Sequence, residues 1–383
     1  MRVPVKSQLK KVLTSSVVGV MALSAVALVG CGPEPTPVGG ATGDVVAQPT
    51  KTVTKLNGQV FGTFYYITVP GGYPGGEETL RSDAEFVFTK VGKAISTFDD
   101  SAEIARFNAQ QNTNDFPISS YLATVLEEVQ RQSRRIGQAM DPTVGPLVNL
   151  WGFGPKGQIE HSPTDEQVAE TRSYVGLDKF SLRRAGGTAF LVKSDPRVEL
   201  DLSTVGEGLA ADELAALMDQ KGVANYMIAI AGAIRSKGAN PEGKLWRVGI
   251  EDPLSHGQKV FAAVCPQGMA ISTAGSYRNF FVDDKTNSFY SHVIDPETGR
   301  PIAHRTVSVS VVDRSALVTD ALDTGLLVWG AKKAVEWGNK NDVAVYAIEI
   351  DDKGQPHESH SRAFDVYLKC KVNQSLTQVV PLE

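Results

Sequence analysis

The chain reads Tyr290-Ser-His-Val-Ile-Asp-Pro-Glu-Thr-Gly-Arg-Pro301 and, further along, Thr319-Asp-Ala-Leu-Asp-Thr324. His292 lies just before the turn-forming Asp295-Pro296 pair, and ligand-contacting groups concentrate on loops held by rigid elements. An imidazole here could act as a general base toward a hydroxyl, or it could be a structural histidine. A histidine followed by acidic and hydroxyl side chains at helical spacing suggests magnesium-dependent phosphate chemistry.

The second of these segments predicts a cluster of oxygen atoms. If a helix begins near Thr319, Asp320 has Asp323 and Thr324 one turn away on its own face. Such ligands suit Mg²⁺, which takes one or two carboxylates and leaves its other positions to water and substrate phosphates. Alternatively, Asp320 is a helix N-cap with solvated neighbours. The spacing leaves both interpretations open.

A glycine-flanked turn is predicted between Leu200 and Gly208, where a short strand would lead into an alanine-rich helix. Glycines let the backbone approach a ligand closely, and a helix N-terminus offers free N–H groups to an anion. Asp201 could accept hydrogen bonds from a base or ribose. Glu207 would repel a phosphate and should therefore face a neutral part of a nucleotide. An ordinary strand-to-helix turn is the alternative.

The segment from Ala139 to Pro155 combines prolines, glycines and the aromatic residues Trp151 and Phe153. This composition predicts a stiff, non-helical path, because proline removes a backbone donor and glycine favours turns. Such a path could wall a flat ring, or it could be a well-packed loop.

Periodicity elsewhere predicts a mixture of strands and helices without regular alternation. Residues 70–76 form a proline- and glycine-rich loop after the first strand. The predicted helices cover 77–95, 119–138 and 207–220, and the predicted strands cover 60–69, 226–230 and 307–312. We therefore expect an α+β protein with a single composite domain of mixed sheets and helices.

The N-terminus has the features of a lipoprotein signal. Basic residues precede an apolar run that ends in Leu28-Val-Gly-Cys31, the form of a bacterial lipobox. We expect residues 1–30 to be a signal peptide, Cys31 to carry lipid and 31–51 to be a flexible tether. An uncleaved membrane anchor is the alternative. The domain would cover 52–370, with a tail over 371–383, attached to the membrane in the cell envelope and facing the periplasm, or on the outer face of the plasma membrane.

Charge and cysteine content exclude some classes of function. The formal net charge is −5, and loss of the basic leader makes the chain more acidic, which argues against nucleic-acid binding. Cys265 and Cys370 could pair in an oxidising compartment or remain buried thiols. We expect neither a metal site nor a nucleophile at these cysteines.

Taken in order, these segments resemble the ApbE family of flavin transferases, and the resemblance covers about residues 52 to 365. It departs from the usual pattern in having Ala231-Gly232 where a Gly-Gly pair is common. The motifs that carry the resemblance are Phe61-Gly-Thr63, Ile95-Ser-Thr-Phe98 with Phe107-Asn108, Met140–Gly154, Asp201–Gly208, Trp246–Ile250, Ile271–Tyr277, Ser291–Pro296 and Asp320–Thr324.

The resemblance implies that FAD is split at its pyrophosphate and that FMN is transferred to a threonine or serine hydroxyl of exported redox subunits, with release of AMP. Mg²⁺ is required in this reaction, and His292 matches the proposed base. Oxygen ligands for the metal would come from Asp320, Asp323, Thr324 and the carbonyl of Thr204. The positions that match the FAD site are Phe61, Phe98, Ala139, Met140, Asp141, Asp201, Glu207 and Ile294.

Two other functions fit the same fold. One is an FAD pyrophosphatase that uses water as acceptor, and the other is a flavin-binding lipoprotein without catalysis. The intact Asp320, Asp323 and Thr324 favour an enzyme, since a carrier has less need of a metal that promotes destruction of its ligand.

Overall fold

The computed structural model describes residues 47–157, 159–255, 259–277, 279–283 and 288–370 of the 383-residue chain. The signal peptide, the Cys31 lipidation site, most of the tether and the tail lie outside these residues, so those predictions stay predictions. Within the described ranges, no helix is long and apolar enough to cross a membrane.

The helices that position the site follow the predicted apolar periodicity. The predictions for 77–95, 119–138 and 207–220 are confirmed to within a few residues at each end. The helices are α1 (Gly76–Ile95), α2 (Glu103–Ala109), α3 (Ser120–Arg135), α4 (Gly145–Leu150), α5 (Asp165–Arg172), α6 (Gly206–Gln220), α7 (Ala316–Trp329), α8 (Ala331–Asn341) and α9 (Asp365–Leu368).

An eight-stranded antiparallel sheet forms the centre of the molecule. Its strands are β1 (Val53–Val60), β2 (Thr63–Pro70), β6 (Tyr226–Ile230), β7 (Ala233–Lys237), β10 (Ala270–Gly275), β15 (Thr306–Asp313), β16 (Ala344–Ile350) and β17 (Pro356–His360). They lie side by side in that order. The predicted strands at 226–230 and 307–312 are confirmed as β6 and β15.

The single strand predicted over 60–69 is wrong at its start, because the chain reverses there. Phe61 and Gly62 both have positive φ, at 51° and 76°. Two consecutive residues of this kind form the hairpin turn that matches the twist of antiparallel strands. The sequence pattern hid the turn, because Phe61 is an aromatic residue in an apparently β-favouring run.

Other parts of the chain cover one face of this sheet and part of the opposite face. Helices α6, α7 and α8 pack on one face, where alternate strand residues such as Ile67, Ile228 and Val311 join the main core. A smaller core lies on the opposite face, where Ile271 and Val312 meet the rest of the chain. That core is built by the hairpin of β8 (Val248–Glu251) and β9 (Val260–Val264) and by the C-terminal segment with α9.

Smaller elements complete the domain. The remaining strands are β3 (Phe116–Ile118), β4 (Phe180–Ala185), β5 (Thr188–Lys193), β11 (Phe280–Asp283), β12 (Ser288–Ser291), β13 (Ile294–Asp295) and β14 (Arg300–Pro301). A three-stranded sheet has the order β3-β5-β4, and two further pairs join β11 with β12 and β13 with β14. A disulfide joins Cys265, just after β9, to Cys370, just after α9, so these cysteines pair rather than remain thiols. The expected single α+β domain is confirmed.

Candidate active site

A cavity of about 650 Å³ opens at the ends of β6, β7 and β10. It is bounded by the start of α6, by one face of α7 and by the segment after β12. Of the site residues predicted from the sequence in the folded domain, those lining it are Phe98, Ala139, Met140, Asp141, Asp201, Thr204, Glu207, His292, Ile294, Asp320, Asp323 and Thr324. Residues far apart in the chain therefore meet in one place.

Phe61 is the predicted site residue that does not line this cavity. It occupies the β1–β2 turn, is 40% exposed and packs edge-on against Phe88 of α1 with ring centroids 6.1 Å apart. Phe98 lies at the mouth and is 74% exposed. The flavin-binding role of Phe61 stays a prediction.

Two buried aspartates form the acidic end of the cavity. Helix α7 begins at Ala316 after the N-cap Ser315, earlier than the predicted start near Thr319. Asp320 therefore lies in the second turn and is only 4% exposed, while Asp323 is 3% exposed. The interpretation of Asp320 as a solvated N-cap is wrong. The predicted spacing of three and four residues is confirmed, and it directs both carboxylates into the cavity.

Burial is the largest cause that raises the pKa of both aspartates well above the usual range. Repulsion from Asp323 and Glu207 raises the pKa of Asp320 further, and Glu207 has the same effect on Asp323. Hydrogen bonding with the Ser272 hydroxyl opposes the shift in part at each carboxyl group. Ionised carboxylates so placed need a nearby positive charge, because like charges in a poorly solvated site repel strongly.

Helix α6 approaches α7 closely at Gly208. The Gly208 N–H donates to Asp320 Oδ2 at 2.6 Å. A Cβ at this position would lie 2.2 Å from the carbonyl oxygen of Ala316. Glycine is required here because any side chain would separate the two helices. The neighbouring Glu207 faces the cavity, and burial raises its pKa.

The segment before α6 is a bend rather than the predicted strand. Its N-terminal part is held by Asn108, whose side-chain amide exchanges two 2.8 Å hydrogen bonds with the backbone of Leu200. Asp201 Oδ1 then accepts from the Ser203 N–H, and a 3-10 turn over Ser203–Val205 carries Thr204 into the cavity wall. The hydrogen bonds from Asn108 therefore satisfy backbone groups of Leu200 that would pair with a neighbouring strand if this segment were part of a sheet.

The segment 139–155 also differs from its prediction, because it contains the short helix α4. Pro146 occupies the first turn of α4, where its missing N–H has no intrahelical partner to lose. Asp141 Oδ1 accepts hydrogen bonds from the backbone and hydroxyl of Thr143, and burial raises its pKa. The backbone N–H of Asp201 donates to the carbonyl of Pro142 at 2.7 Å and joins this wall to the bend before α6.

His292 forms the other reactive end of the cavity. Its backbone N–H and its ring Nδ1 both lie within hydrogen-bond distance of the Asn279 carbonyl, at 3.1 and 3.0 Å. A carbonyl can only accept, so Nδ1 carries the proton and Nε2 of the neutral ring is left with its lone pair. Burial lowers the pKa of His292 below its ordinary value. The imidazole is therefore kept in the form that can accept a proton.

Aromatic rings support this histidine. Phe153 packs edge-on against His292 with centroids 6.3 Å apart, and Phe281 lies 5.8 Å from Phe153. Tyr290 stacks on Phe281 at 5.1 Å and contacts Trp151 at 5.1 Å. The β11–β12 hairpin that precedes His292 is thereby joined to α4 and the loop after it. Of these rings, the sequence indicated only Trp151 and Phe153, as possible walls for a flat ring.

Two further contributors were given no role in the sequence interpretation. Ser272 lies in a quoted motif, but its contact with both aspartates depends on the pairing of distant elements. Ala231 has a φ of 46° and lines the cavity at the β6–β7 turn. The left-handed region costs a residue with a Cβ roughly 1–2 kcal/mol, which a glycine at the same position would avoid.

The donor set at the acidic end fits a hard cation that is held by few protein ligands. Within the described ranges, no three His, Cys, Asp or Glu side chains form a metal-holding group. Asp320 and Asp323, with the Thr324 hydroxyl and a backbone carbonyl, instead offer the mixed oxygen atoms that Mg²⁺ accepts while keeping several waters.

Comparison with known proteins gives a consistent answer. A family profile described as the ApbE family matches residues 61–347. The FAD:protein FMN transferase of Escherichia coli strain K12 is 41% identical over 309 residues, which cover 80% of this chain and 88% of that protein. The protein of the same name from Haemophilus influenzae is 37% identical over 318 residues, covering 82% and 91%.

Solved structures agree with the sequence matches. The flavin transferase ApbE from Vibrio cholerae has a TM-score of 0.74 at 37% identity, covering 83% of this chain and 99% of that one. The apo flavinyl transferase ApbE of Pseudomonas stutzeri has a TM-score of 0.74 at 30% identity, covering 84% and 98%. From the extent of these matches, the chain belongs to the ApbE family.

Proposed function

We propose that this protein is a Mg²⁺-dependent transferase that moves FMN from FAD to a threonine or serine hydroxyl of an acceptor protein. One observation carries the proposal: the same cavity holds two buried carboxylates at one end and, at the other, an imidazole whose Nε2 is free to accept a proton. Phosphoryl transfer to a hydroxyl needs both, because charge must be neutralised on the phosphates and a proton must leave the nucleophile.

The acidic end would hold the metal. Asp320, Asp323, the Thr324 hydroxyl and the Thr204 carbonyl supply oxygen ligands, and Ser272 orients the two carboxylates. When bound, Mg²⁺ would neutralise charge on the pyrophosphate and steady the departing AMP. The unfavourable burial of two carboxylates supports this assignment, since a cation offsets it.

The imidazole end would activate the acceptor. As the acceptor oxygen forms its bond to the phosphorus of the FMN half, the phosphorus–oxygen bond to AMP breaks and the hydroxyl proton passes to His292 Nε2. The contact of Nδ1 with the Asn279 carbonyl holds the ring in the tautomer that this step needs. Asp141, Asp201, Ile294 and the other lining residues would position the nucleotide.

Location follows the sequence signal. We propose that lipid on Cys31 tethers the domain at the outer side of a membrane, where exported redox subunits are its acceptors. The lipobox form of residues 28–31 supports this part of the proposal.

The direct test gives the folded domain FAD, Mg²⁺ and an acceptor domain that carries a flavinylation threonine. We expect a fluorescent acceptor band on a denaturing gel together with equimolar AMP, and no band when EDTA removes the metal. His292→Ala should lower the transfer rate by roughly 10²–10⁴-fold, the usual contribution of general base catalysis. AMP release without a labelled acceptor would identify an FAD pyrophosphatase, and retention of intact FAD would identify a binding protein.

A further inference from the structure

Two aromatic side chains of β2 lie exposed on the sheet beside the cavity. Phe64 is 46% exposed and Tyr66 is 47% exposed. They are two residues apart in a strand, so their side chains project from the same face of the sheet. We refer to this pair as the aromatic strip. Large apolar side chains that share one exposed face mark an interaction site more often than scattered ones do.

The aromatic strip is continuous with the wall of the cavity. Tyr66 pairs with Ala229 of β6, which pairs with Ile234 of β7, which in turn pairs with Ile271 of β10. Directly paired residues share a face, and both Ile234 and Ile271 line the cavity. The sheet surface therefore runs from the exposed ring of Tyr66 directly into the site.

Phe64 is joined to the cavity by a second route. Its carbonyl accepts a hydrogen bond of 3.0 Å from the backbone N–H of Ala231, which lines the cavity at the β6–β7 turn. The β8–β9 hairpin and the C-terminal segment build their core over β10, β15 and β16 on this same face. The face thus passes from a covered region, through the cavity, to the exposed strip.

We propose that the aromatic strip is the docking surface for the folded acceptor protein, an inference that rests on the proposed function. The acceptor must place a hydroxyl inside the cavity while its body remains outside, against surface continuous with the mouth. Half-exposed aromatic rings suit such a contact, because they supply a large apolar area and lose little side-chain entropy on binding.

The surroundings of the strip favour a protein partner over a lipid surface. The β1 residues that pair with Tyr66 and Phe64 are Asn57 and Gln59, two exposed amide side chains. Neutral polar groups around apolar anchors are typical of the rim of a protein interface. Lys55 is the only lysine or arginine of β1 and β2, whereas a membrane-binding face would carry several such residues along its polar side.

The test replaces both rings by a β-favouring polar residue, in the double variant Phe64→Thr with Tyr66→Thr. Threonine keeps a high strand propensity, and its hydroxyl is well solvated at a half-exposed position. We expect kcat/KM for the acceptor domain to fall roughly tenfold or more, as when interface aromatics are lost. The affinity for FAD, measured by equilibrium dialysis, should stay within about twofold.

Two matched variants isolate the effect. Phe86→Thr removes a ring that is 69% exposed on α1, on the other side of the sheet, and should leave kcat/KM unchanged. The exchange Phe64→Tyr with Tyr66→Phe retains both rings and should keep near-normal kcat/KM. Unchanged FAD affinity of the threonine variant shows that its loss of kcat/KM does not reflect misfolding of the hairpin.

Several outcomes would overturn the inference. An unchanged kcat/KM in the threonine variant excludes the strip as an acceptor surface, and a parallel loss of FAD affinity assigns the strip to the nucleotide site. If the variant converts a dimer into a monomer in sedimentation, or loses binding to phosphatidylglycerol vesicles, with unchanged kcat/KM, the strip serves self-association or the membrane. Failure of the unaltered protein to label any acceptor would count against the proposed function instead.

Discussion

The acidic end of the cavity and its imidazole end are supported by different kinds of structure. Asp320 and Asp323 project from one face of a regular helix that packs in the main core. His292 follows a short hairpin whose support is a separate aromatic group with Trp151 and Phe153. The first end is rigid because a helix sets its spacing. The second depends on side-chain packing, and its chemistry should therefore be easier to adjust.

Apart from loss of the His292 base itself, loss of a carboxylate should produce the largest effect, and it should separate stability from activity. We expect Asp320→Asn to lower the transfer rate by roughly 10²–10³-fold, the range for losing one strong electrostatic contact in a transition state. The asparagine oxygen can still accept from the Gly208 N–H. Because a buried repelling charge is removed, the metal-free protein should melt a few degrees higher.

Calorimetry with and without Mg²⁺ measures the melting temperature of Asp320→Asn, and AMP release measures its transfer rate. Asp352→Asn is the control, since Asp352 lies in the β16–β17 turn and pairs only with Arg305 among the contacts described for it. A lower melting temperature for metal-free Asp320→Asn would show that the carboxylate stabilises the fold rather than straining it.

Phe153→Ala should have a smaller effect that depends on pH. Burial lowers the pKa of His292 below the ordinary histidine value of 6.5, so the ring stays neutral at pH values where a free imidazole would be protonated. Removing the Phe153 ring admits water, raises this pKa and moves the acidic limb of the rate profile to higher pH. We expect a loss of several-fold near pH 6 that shrinks toward pH 8, because both proteins are then deprotonated.

The matched variant for this prediction is Phe153→Leu, which restores apolar bulk and should restore much of the original profile. A uniform loss at all pH values, with no shift of the limb, would contradict the role of Phe153 in desolvating His292.

The smallest effect on activity should come from the disulfide, which lies at neither end. Cys265→Ser with Cys370→Ser opens a loop of 105 residues and should lower the free energy of unfolding by on the order of 3 kcal/mol. Transfer at low temperature should remain near normal. Urea denaturation and a rate assay of the folded fraction test this. A large loss of activity in fully folded protein would mean that the disulfide also holds β8 in place, whose Val248 and Gly249 line the cavity.

The two ends also differ in what could be read from the sequence. The spacing of Asp320, Asp323 and Thr324 was readable, because helical periodicity is a local property. The start of their helix was not, because part of its cap comes from a distant element. Asp212 of α6 accepts hydrogen bonds from the N–H groups of Ala316 and Leu317, more than 100 residues away.

Similar non-local contacts explain the other differences. The predicted strand before α6 is a bend because Asn108 satisfies the backbone of Leu200. Helix α4 is the exception, because its cause is local: Pro146 falls in the first turn, where a helix tolerates proline. The tautomer of His292 depends on the Asn279 carbonyl, which no pattern around the histidine reveals.

The contact at Gly208 has a consequence for the engineering of this enzyme. Since even a methyl group there would strike the Ala316 carbonyl, a saturation library at this position should return only the parental residue. Attempts to change flavin preference should therefore leave the α6–α7 junction untouched. Sequence variation is better introduced at the imidazole end of the cavity. There the shape is determined by loops and aromatic side chains rather than by two closely packed helix backbones.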